Sequence, residues 1–203
     1  MAQAREIEAP AIELSDELAT FLGVLPPGGT FRYLYQDAVK LSGHSCPTVA
    51  GAYLMTAAAL RALYPNAIPA RGEIEVVIGG APDGTSSGPM SQVITLLTGA
   101  AGESGFAGLG GKFVRRGLLR FDSALAGRIR FCRRDSGQAV EVTYEPGRVP
   151  PSAELRAVMA RALGDEATDS DRARFSELWT ERVAEILSGD PERVVQVRAV
   201  RAP

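Results

Sequence analysis

Residues 43–47, with the sequence GHSCP, bring together the two rarest reactive side chains of the chain. His44 is the only histidine among 203 residues, and Cys46 is one of two cysteines. Imidazole nitrogen and thiolate sulfur are donors that zinc and similar divalent transition metals bind. Because zinc takes three or four protein ligands, this GHSCP segment predicts part of a metal site that other groups must complete.

The sequence after Cys46 predicts that its thiol lies at a helix N-terminus. Pro47 starts an alanine-rich apolar run that ends at Leu63, and proline is favoured at the first position of a helix. Cys46 is then the N-cap residue, where the positive end of the helix dipole favours the thiolate. Because small and apolar residues occur all round this helix, we expect it in the centre of the core.

Two other interpretations of His44 and Cys46 stay open on the sequence. Cys46 could be a thiolate nucleophile with His44 as its base, although nucleophile and base usually come from separate segments. A free cysteine can also be a small buried apolar residue beside a hydrogen-bonded histidine. The spacing of the two residues does not decide between these interpretations and a metal site.

Cys132 is a third candidate metal ligand. It falls in a strand predicted over residues 128–134, where alternation places it on the same face as Arg130 and Arg134. Such a face is either an electropositive pocket that keeps a thiolate ionised or a solvated outer face of the sheet. The sequence is compatible with both.

Asp83 is a fourth candidate ligand, since it is the only carboxylate in residues 78–89. This segment is rich in glycine and serine and joins a predicted strand to a predicted helix. Backbone N–H groups at such a junction can hold an anion, but the segment matches neither glycine-rich nucleotide-binding motif. It is therefore either a plain loop or a loop that binds a small anionic ligand.

Composition excludes several classes of protein. Hydrophobic residues make up 45% of the chain and charged residues 23%, which is typical of a globular protein and not of a disordered or fibrous one. A net charge of −2 does not favour nucleic-acid binding. No apolar run reaches the ~18 residues of a membrane span, and no signal peptide is recognised. With only two cysteines, the protein is expected in the cytoplasm, with no nucleic-acid or membrane partner.

Hydrophobic periodicity and turn residues predict an α+β fold, in which a mixed or antiparallel sheet packs with helices. Residues 1–150 are expected to form this core, and residues 151–203 a C-terminal helical extension packed on it. The predicted helices lie at about residues 15–23, 30–41, 47–63, 90–98, 152–163 and 169–188, and the predicted strands at about 74–78, 113–121, 128–133, 139–144 and 193–200.

Several of these residues resemble a known family. The GHSCP segment followed by Gly51 is similar to the hallmark of the FmdE-like proteins, the family of the FmdE subunit of formylmethanofuran dehydrogenase. Residues 92–100 and 111–113 resemble that family's helix, its T-G-C turn and its G-K segment. The resemblance covers about residues 30–145 and identifies the chain as a divergent member of the bacterial type.

The resemblance implies a mixed α+β core, a bound metal that is commonly zinc, and a homodimer. It implies that His44 and Cys46 are metal ligands. Two departures concern the rest of the site: Ala100 stands where the family's turn offers a cysteine, and no cysteine follows Cys132 to form the C-terminal zinc ribbon of many members. The missing ligands would come from Cys132, Asp83, a partner chain or a substrate.

The residues and the resemblance together predict a metal-binding, FmdE-like protein, and the resemblance implies that it is accessory to a one-carbon oxidoreductase that uses molybdenum or tungsten. One alternative is an enzyme whose thiolate or metal-bound water acts on a small anionic substrate, held by residues 79–88 and the arginines near Cys132. That alternative requires His44 and Cys132 to face one pocket. The other alternative is a metal-free interaction subunit.

Overall fold

The computed structural model describes residues 9–201, which form two sheets and six α-helices and confirm the α+β class. Within these residues, no helix is long and apolar enough to cross a bilayer. The helices are α1 (Glu17–Phe21), α2 (Tyr35–Ser42), α3 (Pro47–Leu63), α4 (Ser87–Thr98), α5 (Ala153–Ala162) and α6 (Asp169–Ser188). The strands are β1 (Ile12–Leu14), β2 (Phe31–Tyr33), β3 (Ile74–Ile78), β4 (Leu119–Phe121), β5 (Arg128–Arg133), β6 (Ala139–Tyr144) and β7 (Val195–Val200).

The larger sheet is mixed, with the strand order β4-β3-β5-β6-β7. Only the β3–β4 pair is parallel, and the other three pairs are antiparallel. Strands β1 and β2 form a separate antiparallel pair. Because β7 comes from the segment expected to be a helical extension, the C-terminal part of the chain completes the sheet as well as adding two helices. The division into two domains at residue 150 stays a prediction.

Helix α3 is the central element, as its composition predicted. Eleven of its 17 residues are buried. It contacts α2, α4 and α6 and lies against β5, β6 and β7. The GHSCP segment is therefore held at one end of a helix that is packed on several sides.

The two faces of β5 differ as the alternation predicted. Ile129 and Phe131 are buried against the helices, whereas Arg130 and Cys132 lie on the opposite face and are partly exposed. In the register with β3, Cys132 lies opposite Glu75. Cys132 is therefore on the sheet face that points away from α3.

The helix predicted from residue 30 was wrong at its start. Phe31–Tyr33 is extended and pairs with Ile12–Leu14, so that two residues of β1 become buried. The helix begins only at Tyr35, where the Asp37 carboxylate accepts the Leu34 N–H. A distant strand partner overrides the helical spacing of the apolar residues.

The strand predicted over residues 113–121 was wrong in extent. Only Leu119–Phe121 pairs with β3. Phe113 has a φ of +59° and Gly117 a φ of +74°, both in the left-handed region, which extended strands do not contain. These turns divide the segment before β4.

Candidate functional site

The GHSCP segment forms a tight connection between α2 and α3. Gly43 ends α2 with a φ of +72°, a conformation that favours glycine. Cys46 is the N-cap residue of α3, and its Sγ accepts the Val49 N–H at 3.5 Å. Pro47 occupies the first helical position. The predicted placement of the thiol at a helix N-terminus is confirmed.

His44 is exposed, and its ring is oriented by the main chain. Its Nδ1 lies 2.9 Å from the Ser42 carbonyl oxygen. A carbonyl oxygen only accepts hydrogen bonds, so Nδ1 carries the proton and Nε2 of the neutral ring carries a lone pair. The exposed nitrogen is therefore the one able to bind a metal.

Three aromatic side chains, from α2, β6 and α6, fix the rest of the segment. The Tyr35 hydroxyl lies 2.8 Å from Ser45 Oγ, and the Trp179 Nε1–H donates to the Ser45 carbonyl oxygen at 2.8 Å. The Tyr144 hydroxyl donates to the Pro47 carbonyl oxygen, also at 2.8 Å. Sequence reasoning did not identify these three residues. The only hint was that Trp179 is the single tryptophan of the chain.

Gly51 is one of the residues that carried the family resemblance. Packing explains why this position is a glycine. The ring of Tyr144 lies directly against the Gly51 backbone, and a Cβ at this position would overlap three atoms of that ring. The absence of a side chain therefore lets Tyr144 cross the first turns of α3 and reach Pro47.

Ionisation of the two tyrosines beside the segment, Tyr35 and Tyr144, is strongly disfavoured. Burial raises the pKa of Tyr35 to about 12, against the lowering effect of its hydrogen bond with Ser45. Burial likewise raises the pKa of Tyr144, with smaller upward contributions from Cys46 and Tyr35. Both hydroxyls therefore stay neutral hydrogen-bond partners around the thiol.

The structure does not bring Cys132 to the GHSCP segment. Next to it, Arg133 donates from Nη1 to the Leu63 carbonyl oxygen at 3.0 Å, which places this end of β5 at the C-terminus of α3. Cys46 lies at the other end of α3, and a helix of this length spans about 25 Å. Burial raises the pKa of the Cys132 thiol. Within this chain, Cys132 and Cys46 do not share one site.

Asp83 lies exposed on the loop before α4. Among residues 9–201, no three His, Cys, Asp or Glu side chains come together as a group that could hold a metal ion. Ala100, where the family offers a cysteine, is fully buried just after α4 and donates its N–H to Thr98 Oγ1. Position 100 therefore lies just after the C-terminal end of α4, whereas Ser86 and Ser87 lie at its N-terminal end.

A cavity of about 240 Å³ opens beside the GHSCP segment. Pro47 and Thr48 of α3 line it, together with Gly79 after β3, Ser87 at the start of α4 and Arg128 of β5. The cavity therefore adjoins part of the glycine-rich loop and Arg128, whereas Arg130 and Arg134, the arginines on the face of Cys132, are not among its lining residues. His44, Cys46, Asp83 and Cys132 are not among its lining residues.

Arg128 belongs to a cluster of charges on the outer sheet face. Glu141, only 4% exposed, accepts hydrogen bonds from the guanidinium groups of Arg128, Arg130 and Arg198. Hydrogen bonds from Arg130 first, and then from the other two arginines, lower the pKa of Glu141 to about 2. The carboxylate is therefore ionised at neutral pH, and the cluster keeps an excess of positive charge.

These features define an α+β protein with a helix-capping thiol beside an exposed, oriented histidine. The family described as FmdE, molybdenum formylmethanofuran dehydrogenase operon, matches residues 41–196. The match covers most of the chain, and this protein belongs to the FmdE family.

Among solved structures, the chain is similar to an FmdE-like protein of the tungsten formylmethanofuran dehydrogenase type from Syntrophus aciditrophicus. The two are 15% identical with a TM-score of 0.47, over 83% of this chain and 73% of that chain. No curated protein matches the sequence.

Proposed function

We propose that this FmdE-family protein is an accessory subunit that holds one divalent transition metal, zinc in the first place, on His44 Nε2 and Cys46 Sγ. The hydrogen bond between His44 Nδ1 and the Ser42 carbonyl oxygen carries this proposal. Histidines that bind metals almost always direct their other ring nitrogen to a carbonyl or carboxylate, which fixes the tautomer and the ring.

The donor set fits zinc, because imidazole nitrogen and thiolate sulfur are its usual ligands. Two ligands make an open site, in which water, a small molecule, Asp83 or the second chain of a homodimer takes the other positions. A metal held in this way polarises a bound group or acidifies a bound water. Ser45, anchored on both its side chain and its carbonyl, holds the two donors in register.

Family membership supports a role beside a formylmethanofuran dehydrogenase or a related molybdenum or tungsten enzyme. Both cysteines are free, which agrees with a cytoplasmic location. The alternative of an enzyme that uses both His44 and Cys132 has no support, since these residues lie at opposite ends of α3.

Cobalt(II) titration of the tag-free protein tests the metal site. We expect one equivalent to bind, with a sulfur-to-cobalt charge-transfer band in the near ultraviolet. Cys46→Ser keeps a good N-cap residue for α3 but removes the sulfur, so the band should disappear. Cys132→Ser is the matched control and should keep both the band and the stoichiometry.

His44→Ala should weaken cobalt and zinc binding by at least tenfold while leaving the melting temperature of the metal-free protein unchanged, because the ring is exposed. Asp83→Asn shows whether this carboxylate takes a coordination position. Equal binding by the wild type and Cys46→Ser would overturn the proposal. Wild-type protein that binds no metal, yet still assembles with its partner, would favour a metal-free interaction subunit.

A further inference from the structure

Strand β7 is one edge of the larger sheet. Within residues 9–201, only β6 pairs with it. The Glu145 N–H donates to the Val194 carbonyl oxygen at 2.8 Å. Because hydrogen-bonded and non-hydrogen-bonded positions alternate in an antiparallel pair, Gln196 and Arg198 also direct their main-chain groups to β6. The residues at the alternate positions direct theirs away from the sheet: Val195, Val197 and Ala199.

The outward main-chain groups of Val197 and Ala199 are free. Both residues are exposed, and no other hydrogen bond to their main chain exists within residues 9–201. Val195 is only 3% exposed, beside the short 3₁₀ turn at Pro191–Arg193. The open part of the edge therefore offers two N–H donors and two carbonyl acceptors.

Strand β7 lacks the features that protect most edge strands. Edges are commonly blunted by proline, by a bulge or by lysine. The sequence of β7 is VQVRAV, and all six residues pair with β6 in one unbroken register. A regular, open edge of this kind is where an extended segment of another chain adds a strand.

A groove runs beside this edge on the inner face of the sheet. Val197 lies opposite Val142, which belongs to the core, so its side chain points to the α3 side. The groove has a volume of about 500 Å³ and lies between β7 and α3, from which Ala58 and Ala62 line it. Its charged lining residues are one arginine and one glutamate, so their charges balance. Val197 is 40% exposed there, and the groove can receive apolar side chains of an added strand.

The outer face of the sheet is positive beside the same edge. The side chain of Arg198 is 69% exposed and shares Glu141 with Arg128 and Arg130, so three positive charges face one negative charge. The other carboxylates that alternation places on this face lie on β3 or after β4, about 14 Å or more from β7: Glu75 and Asp122. A carboxylate on a strand added to β7 would therefore meet an excess of positive charge.

We propose that β7 binds an extended segment of a partner protein in which apolar residues alternate with carboxylates. The segment adds a strand to the five-stranded sheet and pairs with the main chain of Val197 and Ala199. Its apolar side chains enter the groove beside α3, and a carboxylate lies opposite Arg198. This proposal rests on the accessory role proposed above, but not on a metal at His44 and Cys46.

The charges favour such a partner over a second copy of this chain. Pairing of β7 with the β7 of another copy would bring two arginine clusters to one sheet face and double the excess of positive charge. Like charges on neighbouring strands destabilise the pairing, whereas opposite charges stabilise it.

Titration of ¹⁵N-labelled protein with the peptide acetyl-EVEVE-amide tests this assignment, because its valines and glutamates lie on opposite faces of a strand. We expect saturable shifts of the amide signals of residues 196–200, with a Kd on the order of 1 mM for so short a peptide. Hydrogen exchange of the Val197 and Ala199 amides should slow. Acetyl-KVKVK-amide should bind about tenfold more weakly, since its cations meet Arg198.

Two changes test the main-chain pairing. The EVEVE peptide methylated on both valine nitrogens keeps its charge but loses two donors, so it should not bind detectably. Val197→Pro removes an outward N–H without removing a hydrogen bond to β6, and edge strands tolerate proline at such positions. This variant should weaken binding at least about tenfold. The methylated peptide gives the same test on the wild-type protein if the variant does not fold.

Arg198→Gln should weaken binding of the EVEVE peptide about tenfold, since a charge-assisted contact is lost. Arg120→Gln is the matched control, because Arg120 is an exposed arginine of the same sheet face on β4, the opposite edge. Its Kd should stay within about twofold of the wild type. Cys46→Ser should leave the Kd unchanged, so that failure of the metal site and failure of this surface are separate results.

Three results would overturn the assignment: equal affinity for the methylated peptide, equal losses in Arg198→Gln and Arg120→Gln, or shifts confined to residues outside β7. A wild-type dimer that becomes monomeric in Val197→Pro, measured by sedimentation velocity, would assign the edge to a second copy of this chain instead.

Discussion

The indole Nε1–H of Trp179 donates a hydrogen bond to the main-chain oxygen of Ser45 at 2.8 Å, across 134 positions of sequence. Trp179 lies on α6, and Ser45 lies between the two candidate metal ligands. The C-terminal part of the chain, in which no residue had suggested chemistry, therefore positions the segment that carries the chemistry.

Replacement of Trp179 by Phe tests this contact. The variant keeps an aromatic ring against Phe175 but loses the donor, so the folded state should lose about 1 kcal/mol. Amide hydrogen exchange should accelerate in peptides that cover residues 43–47. Phe175→Leu is the control, because it alters the same ring pair and leaves the Ser45 hydrogen bond in place. Equal acceleration in both variants would mean that ring packing, and not the hydrogen bond, orders the segment.

In Gly51→Ala the new methyl group overlaps the Tyr144 ring at a cost of about 1–3 kcal/mol, so the protein should be destabilised by up to about 2 kcal/mol net. The net value allows for the ~1 kcal/mol that alanine gains over glycine in a helix. Gly147→Ala is the control, since a Cβ there meets open space. Urea unfolding of the two variants gives the comparison, and a Gly51→Ala protein as stable as the wild type would contradict the close packing.

Glu141 should make stability depend on acid pH. Hydrogen bonds from arginines, Arg130 foremost, lower its pKa in the folded state from the usual 4.5 to about 2. The carboxylate therefore stabilises the fold fully above about pH 4.5, and this contribution is lost as the pH falls towards 2.

Glu141→Gln should cost about 3 kcal/mol at pH 7, because it leaves three guanidinium groups around a neutral side chain. The difference in the free energy of unfolding between this variant and the wild type should shrink as the pH falls below about 4.5. Glu75→Gln, on the same sheet face, is the control and should have little effect at any pH. A stability difference between Glu141→Gln and the wild type that stays constant from pH 7 to pH 3 would show that ionisation of Glu141 does not stabilise the fold. Denaturant midpoints measured across the pH range provide the test.

Asp16→Asn should also destabilise the protein, by about 3–5 kcal/mol. Asp16 is 3% exposed, accepts hydrogen bonds from Arg71 and Arg115, and caps α1 through the Ala19 N–H. Without its charge, two guanidinium groups face each other with no anion between them. Thermal unfolding of Glu17→Gln, an exposed neighbour in the same first turn, gives the baseline. Similar melting temperatures for the two variants would show that the ion pairs contribute little.

The sequence predicted the local features of the candidate site correctly. Pro47 and the alanine-rich run after it predicted α3, its central position and the N-cap place of Cys46, because these depend on neighbours within a few residues. The alternation of Ile129, Phe131 and Cys132 on β5 was predicted for the same reason.

Features that depend on distant partners were missed. Phe31–Tyr33 has the spacing of a helix but becomes a strand because Ile12–Leu14 lies beside it. Ser45 is held by Tyr35 and Trp179, and no spacing along the chain marks such contacts. The cavity near Arg128 likewise exists only because β3 ends where α4 and β5 begin.

The sequence by itself determined the family, the α+β class and the placement of His44 and Cys46 around a helix start, since these depend on residue type and short-range spacing. The tertiary structure decided which groups share a site. It placed Cys132 at the far end of α3, anchored Ser45 through Tyr35 and Trp179, and opened a cavity beside the start of α3. Such relationships arise from packing between residues far apart in the chain, which short-range spacing does not specify.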